Sequence, residues 1–375
     1  MRVGILGGGQ LARMMVSAGL ELGLEFVVLD PAPDACAGRC ASLINKDWAL
    51  APEQPELQAC DRITCDFENV PASVLEALST TLTVRPGPRA FHAAQDRLVE
   101  KSLFRELGIP VPAFAAVSSR PELLAAIEKM GFPAVLKTRR LGYDGKGQAV
   151  LRHHEDLEPA WRKLGEHPLI LEAWVPFDHE FAITGVRTAA GETRFYPASF
   201  TCHEQGILRL AMAPAGLDQA MVETAEAHIG CLMEHLDYVG CLTLELFAGE
   251  FGLLANEFAP RVHNSAHWTI EGSETSQFEN HLRAVCDLPL GSTNPRGHAV
   301  MLNWIGSMPA REQLLAVPGL CWHDYGKSDR PGRKVGHATL VADSQEELQQ
   351  RIERLRPLLD AQTASLLSGA MTPLG

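Results

Sequence analysis

The sequence predicts a soluble globular protein in which an α/β domain is followed by an α+β region. Over residues 2–30 a strand, a glycine turn, a helix and a second strand follow one another, which is the pattern of a βαβ unit. From residue 113 the pattern changes to hairpin strands between isolated helices. Apolar residues make up 46% of the 375 residues and charged residues 21%, so we expect packed cores rather than disorder, divided among about two to three domains.

The first domain is predicted to close near residue 95. Its first unit consists of the strand "RVGIL", the helix "QLARMMVSAGLELG" and the strand "EFVVLD", which ends in Asp30. A further strand ends in "RITCDFENVP", and "AQDRLVEKSLFRELG" predicts a helix at 94–108. The segment "IPVPAF" then marks a boundary, because each proline biases the residue before it toward extended chain.

The second region begins with the helix "RPELLAAIEKMG" and continues with two strands on either side of the loop "LGYDGKGQAV" at 141–150. The segment "PLILEAWVPFDHEFAITGVR" predicts two strands with a bend, and residues 218–236 predict a helix. A hairpin follows in "GCLTLELFAGEFGLLANEFAP", with its turn at "GEFG". At the end, "RPGRKVGHATLVA" is a loop and a strand, and the capping pattern from Ser344 to Glu347 opens an amphipathic helix.

Charge and composition exclude several classes of protein. The net charge of -13 argues against nonspecific binding of nucleic acid, which requires a positive surface. The sequence contains no plausible membrane span, and "MRVGIL" lacks the features of a signal peptide, so we expect a cytoplasmic protein. The nine cysteines fit reduced thiols there. Cys36-x3-Cys40 and Cys60-x4-Cys65 could be drawn as a metal site, but their irregular spacing favours inert thiols.

Two glycine clusters compete for a phosphate ligand. Gly7-x-Gly9-x-x-Ala12 follows a strand, opens a helix and precedes Asp30, as in a dinucleotide-binding fingerprint. Any tight turn between a strand and a helix selects the same glycines, so a structural turn or a loop for another anion stays open. The loop at 141–150 is not a Walker A motif, because Lys146 is followed by glycine rather than by Ser or Thr.

The predicted hairpin at 240–260 carries a candidate metal site. A turn centred on residue 251 places Glu245 opposite Glu257 on one face, with the side chains ~5 Å apart. Two such carboxylates repel each other unless a cation lies between them, and Asn256 offers a further oxygen. Mg²⁺ takes oxygen ligands of this kind together with nucleotide phosphates. A solvated hairpin face is the alternative, but the apolar flanks "LTLEL" and "LLANEF" favour the metal site.

The loop at 141–150 then has a role as a lid. Its glycines can present backbone N–H groups to phosphate oxygens, and Lys137 and Lys146 add positive charge. A glycine hairpin that faces a dicarboxylate hairpin forms a clamp around a metal nucleotide. A mobile surface hairpin is the alternative.

Seven motifs occur along the chain in this order: "GGGQLARM", "DFENVP", "DRLVEK", "GYDGKGQ", "NEFAPRVHNSAHWT", "QFENHLRA" and "RPGRKVGH". Together they resemble the N5-carboxyaminoimidazole ribonucleotide synthetase family, a group of ATP-grasp enzymes of purine biosynthesis, over nearly the whole chain. The resemblance implies α/β and α+β architecture: a Rossmann-like pre-ATP-grasp domain at 1–95, an ATP-grasp domain at 96–298 with a lid at about 113–175, and a small C-terminal domain at 299–375. Cys65 stands where family members often carry an aromatic residue, which concerns local packing only.

The activity that the resemblance implies is ATP-dependent carboxylation of 5-aminoimidazole ribonucleotide by bicarbonate, with Mg²⁺ as metal ion. ATP phosphorylates bicarbonate to carboxyphosphate, which delivers the carboxyl group or CO₂ to the exocyclic amine. The products are N5-carboxyaminoimidazole ribonucleotide, ADP and phosphate. The family also implies a homodimer.

The resemblance assigns roles by motif position. The residues expected to bind ATP are Arg97, Lys137, Gly142, Tyr143, Asp144, Gly145, Lys146, Gly147, Gln148, Glu172, Ala173, Trp174, Val175, Glu180, His203, Asn256 and Glu257. Those expected to be catalytic are Arg261, His263, Asn264 and Lys334, of which the first three, on one short loop, would hold and polarise bicarbonate. Those expected to bind the ribonucleotide are Gly8, Gly9, Gln10, Tyr143, Asp144, Lys146, Arg333 and Lys334. Within this set, the segment at 172–175 is the hinge that meets adenine through backbone groups.

Plainer structural roles stay open for several of these residues. Arg97 and Glu180 could form surface ion pairs, His263 could be a structural histidine, and Arg333 with Lys334 could be a charged turn. Three other functions compete with the main one: another ATP-grasp enzyme with a different acceptor, a nicotinamide oxidoreductase, and a nucleotide sensor without turnover.

Overall fold

In the computed structural model, which describes residues 1–142 and 147–370, the N-terminal residues form a four-stranded parallel sheet. Its strands are β1 (Arg2–Leu6), β2 (Glu25–Leu29), β3 (Ser42–Ile44) and β4 (Arg62–Cys65), in the order β3-β2-β1-β4. The helices with this sheet are α1 (Gln10–Glu21), α2 (Pro55–Gln58), α3 (Ala72–Ser79) and α4 (Pro88–Ala94). The strand order reverses between β1 and β4, so the carboxyl ends of these two strands form the crevice where such sheets bind ligands.

The helix predicted at 94–108 is confirmed, but it begins three residues later than predicted. α4 ends at Ala94, and α5 (Arg97–Glu106) begins after Asp96. Asp96 has an extended backbone, and its Oδ1 accepts a hydrogen bond of 3.1 Å from the backbone N–H of Leu98. An aspartate in this position caps a helix, so the polar pair before Arg97 starts a new helix.

A second, antiparallel sheet forms the expected lid, with the order β5-β8-β6-β7. Its strands are β5 (Phe114–Val117), β6 (Ala134–Thr138), β7 (Gln148–Leu151) and β8 (Leu169–Ala173), and its helices are α6 (Arg120–Met130) and α7 (Leu157–Leu164). Apolar side chains of both helices pack into one core with the sheet. The glycine loop joins β6 to β7. The predicted site residues Tyr143, Asp144, Gly145 and Lys146 lie outside the described residues.

The largest sheet has nine strands and the order β14-β13-β9-β11-β12-β15-β17-β16, with β10 beside β9. Its strands are β9 (His179–Arg187), β10 (Thr193–Phe195), β11 (Ser199–Glu204), β12 (Ile207–Ala213), β13 (Gly240–Gly249), β14 (Gly252–Ala259), β15 (His298–Ile305), β16 (Leu320–Asp324) and β17 (Lys334–Ala342). Its helices are α8 (Gln219–His235), α9 (Thr269–Gly272), α10 (Gln277–Val285), α11 (Arg311–Leu314), α12 (Gln345–Leu355) and α13 (Ala361–Ala370). Because β12 pairs with β15, one continuous sheet runs across the expected boundary at 298–299.

The N-terminal sheet is fixed to the rest of the chain through α1 and α10. Apolar residues of both helices, among them Met15 and Leu282, belong to one buried cluster. At the edge of this contact, Arg62 and Arg85 each form an ion pair with Asp287, at 2.8 and 2.7 Å. The carboxyl ends of β1 and β4 therefore face the loop that follows β14. Among the helices that the structure describes, none is long and apolar enough to cross a membrane.

Candidate active site

The first glycine cluster lies against two carboxylates of the protein itself. A side chain at Gly9 would place its Cβ 2.7 Å from Oδ2 of Asp66, which follows β4. Asp66 accepts backbone hydrogen bonds from Gly9 and Ala12 at the start of α1. The N–H of Gly8 donates to Oδ2 of Asp30 at 2.7 Å. Close approach of these carboxylates accounts for the glycines, and Asp30 is engaged with the turn rather than open to a ribose, so the dinucleotide interpretation loses its support.

Gln10 begins α1 and points toward the C-terminal part of the chain. Its Oε1 accepts a hydrogen bond from Nζ of Lys327, in the loop between β16 and β17. Lys327 is not among the residues predicted from the sequence, because a single lysine in "DYGKSDR" carries no motif. Its position just before "RPGRKVGH" is the one signal that could have indicated it. The first glycine turn and the C-terminal loop thus form one polar corner.

Asp66 makes this corner sensitive to pH. Its side chain is buried, and burial raises the pKa of Asp66 to about 6, in spite of the backbone hydrogen bonds and the nearby Arg261 and Lys327. A carboxyl group with a raised pKa in the folded state contributes stability below its unfolded pKa and loses that contribution as pH rises through the folded value.

We therefore expect Asp66→Asn to gain stability relative to the wild type as pH rises from ~4 to ~6.5, by about 2 to 3 kcal/mol. Chemical denaturation of both proteins across this pH range measures the difference. If the asparagine amide does not replace a hydrogen bond of Asp66, the free energy of unfolding of the variant changes by an amount that does not vary with pH. A difference that stays constant from pH 4 to 7 would contradict the raised pKa of Asp66.

The hairpin of β13 and β14 brings the two predicted metal ligands to the cleft. The turn is confirmed at Glu250 and Phe251, and the predicted register holds for Thr243 with Ala259 and for Leu244 with Phe258, but it shifts by one residue nearer the turn. Leu244 pairs with Phe258 and Leu246 pairs with Ala255, so the chain between them contains a bulge. One residue, Glu245, therefore stands opposite two, Asn256 and Glu257. A bulge re-aims side chains, and here both glutamates line the same cleft.

The electrostatics of the hairpin favour a cation. Burial, and then repulsion from Glu257, raise the pKa of Glu245 to about 7. Burial also opposes ionisation of Glu257, but Arg97 outweighs it and lowers the pKa of Glu257. Nη1 of Arg97 lies 2.7 Å from Oε2 of Glu257. A divalent cation between the carboxylates would remove their repulsion, so the pair fits a metal ion that takes its remaining ligands from phosphates and water.

Within the described parts of the chain, no group of three or more His, Cys, Asp or Glu side chains could hold a metal ion. The two-carboxylate pair at Glu245 and Glu257 is thus a partial site, consistent with a metal ion that is delivered with a nucleotide. The nine cysteines are all free thiols, as the sequence analysis expected.

Glu172 in the predicted hinge interacts through its side chain as well as through its backbone. Its Oε2 lies 3.0 Å from Nζ of Lys137 on β6 and 3.5 Å from Nζ of Lys101 on α5. Burial opposes ionisation of Glu172, but the two lysines outweigh it and lower its pKa to about 2. Lys137 thus stands beside a permanent negative charge.

The hinge backbone is partly used within the fold. Ala173 donates its N–H to Ala113 at 2.8 Å, and Trp174 donates to Pro133 at 3.2 Å. Among the described residues, the next amide, that of Val175, has no backbone partner. Val175 is therefore the hinge residue whose N–H is open to the edge of an adenine ring. The side chain of Trp174 is 43% exposed, so this residue is not part of the core.

Glu180 and His203 are brought together on neighbouring strands. Oε2 of Glu180 on β9 lies 3.0 Å from Nδ1 of His203 on β11, where a bulge interrupts the pairing of β11 with β12. Burial opposes the charged form of His203, but the hydrogen bond with Glu180 and the charges of Glu245 and Glu180 together outweigh it and raise the pKa of His203. The two residues predicted to lie on the nucleotide side form one unit.

Arg261 and His263 line the cleft opposite Arg97. Nε of Arg261 donates to Oε2 of Glu68, and Nη1 donates to the carbonyl of Val262 at 3.0 Å. Nε2 of His263 lies 3.6 Å from Oε1 of Glu245. Burial lowers the pKa of His263 well below its usual range, and the charge of Arg261 adds to this effect, so the imidazole is neutral.

Asn264 lies apart from this pair. Its side-chain amide forms two reciprocal hydrogen bonds, of 3.1 and 2.7 Å, with the amide of Asn303 on β15. Asn264 is buried, so the arrangement favours a role in holding the loop rather than direct contact with bicarbonate.

Arg333 and Lys334 diverge at the start of β17. Nη1 of Arg333 donates to Oγ of Ser328 at 2.8 Å and thus braces its own loop. The charge of Lys334 acts on Glu245, His203 and His263, which places its ammonium group on the metal side of the cleft. Of the two residues, Lys334 is the one directed at the other candidate groups.

Two residues that sequence reasoning missed support this cleft. Glu68 follows β4 and holds Arg261, and burial is outweighed by the charge and the hydrogen bond of Arg261 together with a backbone hydrogen bond, which lower the pKa of Glu68. Arg139 at the start of the lid loop forms a two-point ion pair with Asp96, at 2.9 and 2.7 Å. Glu68 lies in the quoted motif "DFENVP", which could have indicated it, whereas Arg139 carries no such signal.

The described ends of the lid loop agree with a backbone turn. Gly142 lines the cleft, and its carbonyl lies 3.5 Å from Nη2 of Arg97. Gly147 has a positive φ of 71°, and a Cβ there would approach Oγ1 of Thr138 to 2.5 Å, so only glycine fits. Gln148 begins β7 and pairs with Lys137.

Three known domain families match the chain in consecutive segments. Residues 1–95 match the ribonucleotide synthetase preATP-grasp domain, residues 102–278 the ATP-grasp domain, and residues 299–351 the phosphoribosylaminoimidazole carboxylase C-terminal domain.

Curated proteins and solved structures match over almost the full length. The chain is 49% identical over 362 residues to the N5-carboxyaminoimidazole ribonucleotide synthase of Pseudomonas aeruginosa, covering 96% of this chain and 100% of that protein. It superposes with a TM-score of 0.91 and 48% identity on the N5-carboxyaminoimidazole ribonucleotide synthetase of Thermus thermophilus, covering 96% and 98% of the two chains. The synthase of Aspergillus clavatus in complex with ADP and 5-aminoimidazole ribonucleotide matches with a TM-score of 0.86 and 30% identity, covering 98% of each chain.

Proposed function

Since the chain belongs to the N5-carboxyaminoimidazole ribonucleotide synthase family of ATP-grasp ligases, we propose that it carboxylates 5-aminoimidazole ribonucleotide with bicarbonate and ATP. The products are N5-carboxyaminoimidazole ribonucleotide, ADP and phosphate. One observation carries the assignment of this reaction to the cleft. The carboxylate pair Glu245 and Glu257 lines one cleft together with two cationic side chains, Arg97, which pairs with Glu257, and Arg261.

The chemical task is to activate bicarbonate, which does not react with an amine. A bicarbonate oxygen attacks the terminal phosphorus of ATP, the bond to ADP breaks, and carboxyphosphate forms. The amine nitrogen then bonds to the carboxyl carbon, either directly or after release of CO₂, and the phosphate group leaves while the amine loses a proton. Phosphoryl transfer depends mainly on positioning and charge neutralisation, so no Ser or Cys nucleophile is required.

The nucleotide side of the cleft would hold the triphosphate by charge. Lys137 and Arg97 supply cations for the phosphate oxygens, Val175 supplies a backbone donor for adenine, and Glu180 with His203 accepts the ribose hydroxyls. When bound at Glu245 and Glu257, Mg²⁺ would neutralise phosphate charge and orient the terminal phosphate. The lid residues Tyr143, Asp144, Gly145 and Lys146 remain part of the proposal by motif position only.

The opposite side would hold bicarbonate. Glu68 holds the Arg261 guanidinium at Nε. Nη2 of Arg261 is then the group that would contact the anion. His263 is neutral, so its ring can accept a hydrogen bond from bicarbonate without a competing charge. Lys334 lies on the same side and adds the positive charge that a bicarbonate or phosphate anion needs.

The ribonucleotide phosphate would lie at the polar corner of the first domain. Gln10 and Lys327 meet there, and the amide groups of Gly8 and Gly9 are already used by Asp30 and Asp66. We therefore assign the phosphate contact to the side chains at this corner and to Lys334, rather than to the glycine amides alone.

The proposed reaction is tested by release of phosphate and ADP from ATP. With Mg²⁺ and bicarbonate, turnover is expected to require 5-aminoimidazole ribonucleotide or to rise strongly when it is added. Replacement of this acceptor by other amines in the same assay separates the proposal from an ATP-grasp enzyme with a different acceptor. Equal ADP release with and without the ribonucleotide, at controlled bicarbonate, would contradict it.

A homodimer is also proposed, on the family resemblance alone, and a cytoplasmic location, as the sequence features lead us to expect. Light scattering coupled to size-exclusion chromatography at several protein concentrations measures the oligomeric state. A monomer at all concentrations would remove the dimer from the proposal.

A further inference from the structure

Lys101 lies one helical turn after Arg97 in α5, and its side chain is 0% exposed. Lysine is rarely buried in this way, because removal of an ammonium group from water costs several kcal/mol unless partners replace the solvent. The contacts of Lys101 therefore indicate what it stabilises.

Two partners connect Lys101 to both walls of the nucleotide side. Its Nζ donates to the carbonyl of Ala255 on β14 at 3.2 Å, two residues before Glu257. The same Nζ lies 3.5 Å from Oε2 of Glu172 on β8 of the lid sheet. Lys101 thus bridges the hinge of the lid and the strand of the metal carboxylates.

Glu172 is shared by two lysines that differ in position. Lys137 approaches the same Oε2, at 3.0 Å, but its side chain is 14% exposed, whereas that of Lys101 is completely enclosed. Only Lys137 is therefore able to reach a ligand in the cleft. Lys101 remains at the carboxylate whatever the cleft contains.

The neighbouring carboxyl group does not balance Lys101. Oε1 of Glu100 accepts the backbone N–H of Phe258 at 2.7 Å. Burial, and then repulsion from Glu257, raise the pKa of Glu100 to about 8, so this group is mostly protonated at neutral pH. Glu172 is thus the carboxylate that both lysines contact directly, at 3.0 Å from Lys137 and 3.5 Å from Lys101.

We propose that Lys101 is a positioning residue that keeps Glu172 neutralised, so that Lys137 is available to the phosphates of ATP. The proposal rests on the ATP site of the proposed function. Without Lys101, the buried carboxylate would retain Lys137 as its remaining direct cationic partner, since an unpaired buried charge is costly. Phosphate oxygens would then compete with Glu172 for the same ammonium group.

The experiment compares the binding of three ligands to wild type and Lys101→Met by calorimetry. We expect Mg-ATP and Mg-ADP to bind about 10-fold more weakly to the variant, because part of the Lys137 contact is lost, and adenosine to bind within about 2-fold. In a Lys137→Met background the same change should alter Mg-ATP binding by less than about 2-fold, since the group through which Lys101 acts is then absent.

Lys163→Met is the matched control, because Lys163 is exposed on α7 of the same lid, and it should leave all three affinities unchanged. Lys101→Gln is the second variant, since glutamine can keep hydrogen bonds to Ala255 and Glu172 without the charge, and it should show the same dependence on phosphates. The proposal would be overturned if Lys101→Met weakened the binding of ATP and adenosine equally, or if it left ATP binding unchanged. It would also be overturned if Lys101→Met weakened Mg-ATP binding as strongly in the Lys137→Met background as in the wild type. If the wild type itself does not bind Mg-ATP, the proposed function fails instead.

Discussion

Replacement of Glu257 by Gln is expected to lower turnover by ~10²-fold or more while the fold is retained. The amide preserves size but removes a charge that a divalent cation needs, and it also releases Arg97, whose guanidinium lies 2.7 Å from the carboxylate. Glu245→Gln removes the other carboxylate of the pair and should also lower turnover. Steady-state ADP release over a range of Mg²⁺ concentrations measures both variants.

The dependence on Mg²⁺ separates a metal ligand from a residue that only packs. For either variant, the Mg²⁺ concentration needed for half-maximal rate should rise together with the loss of turnover. Glu250→Gln is the control, because Glu250 is exposed at the turn of the same hairpin. Near-normal turnover in both Glu245→Gln and Glu257→Gln, at low Mg²⁺, would remove the metal assignment.

Local patterns were sufficient for much of this hairpin but not for its register. The apolar alternation and the glycines at 249 and 252 correctly predicted two strands and a turn. A bulge inserts one extra residue into one strand of the pair, so counting from the turn could not detect it. The bulge changes the candidate site little, because Glu245 and Glu257 still line the cleft.

The first glycine cluster shows the opposite case, in which a motif was visible but its cause was not. The βαβ unit is confirmed in β1, α1 and β2. The reason for Gly9 is the carboxylate of Asp66, which arrives from β4 through parallel pairing. Single-sequence patterns do not show which distant carboxylate will approach a turn, and the dinucleotide alternative stayed open for this reason.

Charged residues that support the cleft were the hardest to predict. Lys327 meets Gln10, and Lys101 meets Glu172, through contacts between distant parts of the chain. Arg139 meets Asp96 in the same way. Isolated lysines and arginines are common on solvated surfaces, so position in the sequence does not distinguish them. The family resemblance, confirmed by the matching domains and relatives, correctly predicted the fold and the reaction class, whereas the individual site residues remain predictions.

Lys334→Met is expected to raise the KM for 5-aminoimidazole ribonucleotide by about ten- to a hundredfold, which corresponds to a charge-assisted contact of ~1.5 to 3 kcal/mol. The physical reason is the direction of the side chain at the start of β17. Arg333 is held by Ser328, whereas the charge of Lys334 acts on Glu245 and His263 inside the cleft. Methionine keeps the length of the side chain and removes the ammonium group. Arg333→Met is the comparison variant, and we expect it to have the smaller effect.

Three constants decide where the Lys334 charge acts. The KM for the ribonucleotide is measured at saturating ATP and bicarbonate, the KM for bicarbonate at saturating ATP and ribonucleotide, and the dissociation constant of Mg-ATP in the absence of both. A large rise in the first constant with the third unchanged supports the phosphate contact. Because Lys334 also lies on the side of Arg261 and His263, a rise in the KM for bicarbonate alone would assign it to bicarbonate. A rise in the Mg-ATP constant alone would move Lys334 to the nucleotide and leave Gln10 and Lys327 as the remaining candidates for the ribonucleotide phosphate.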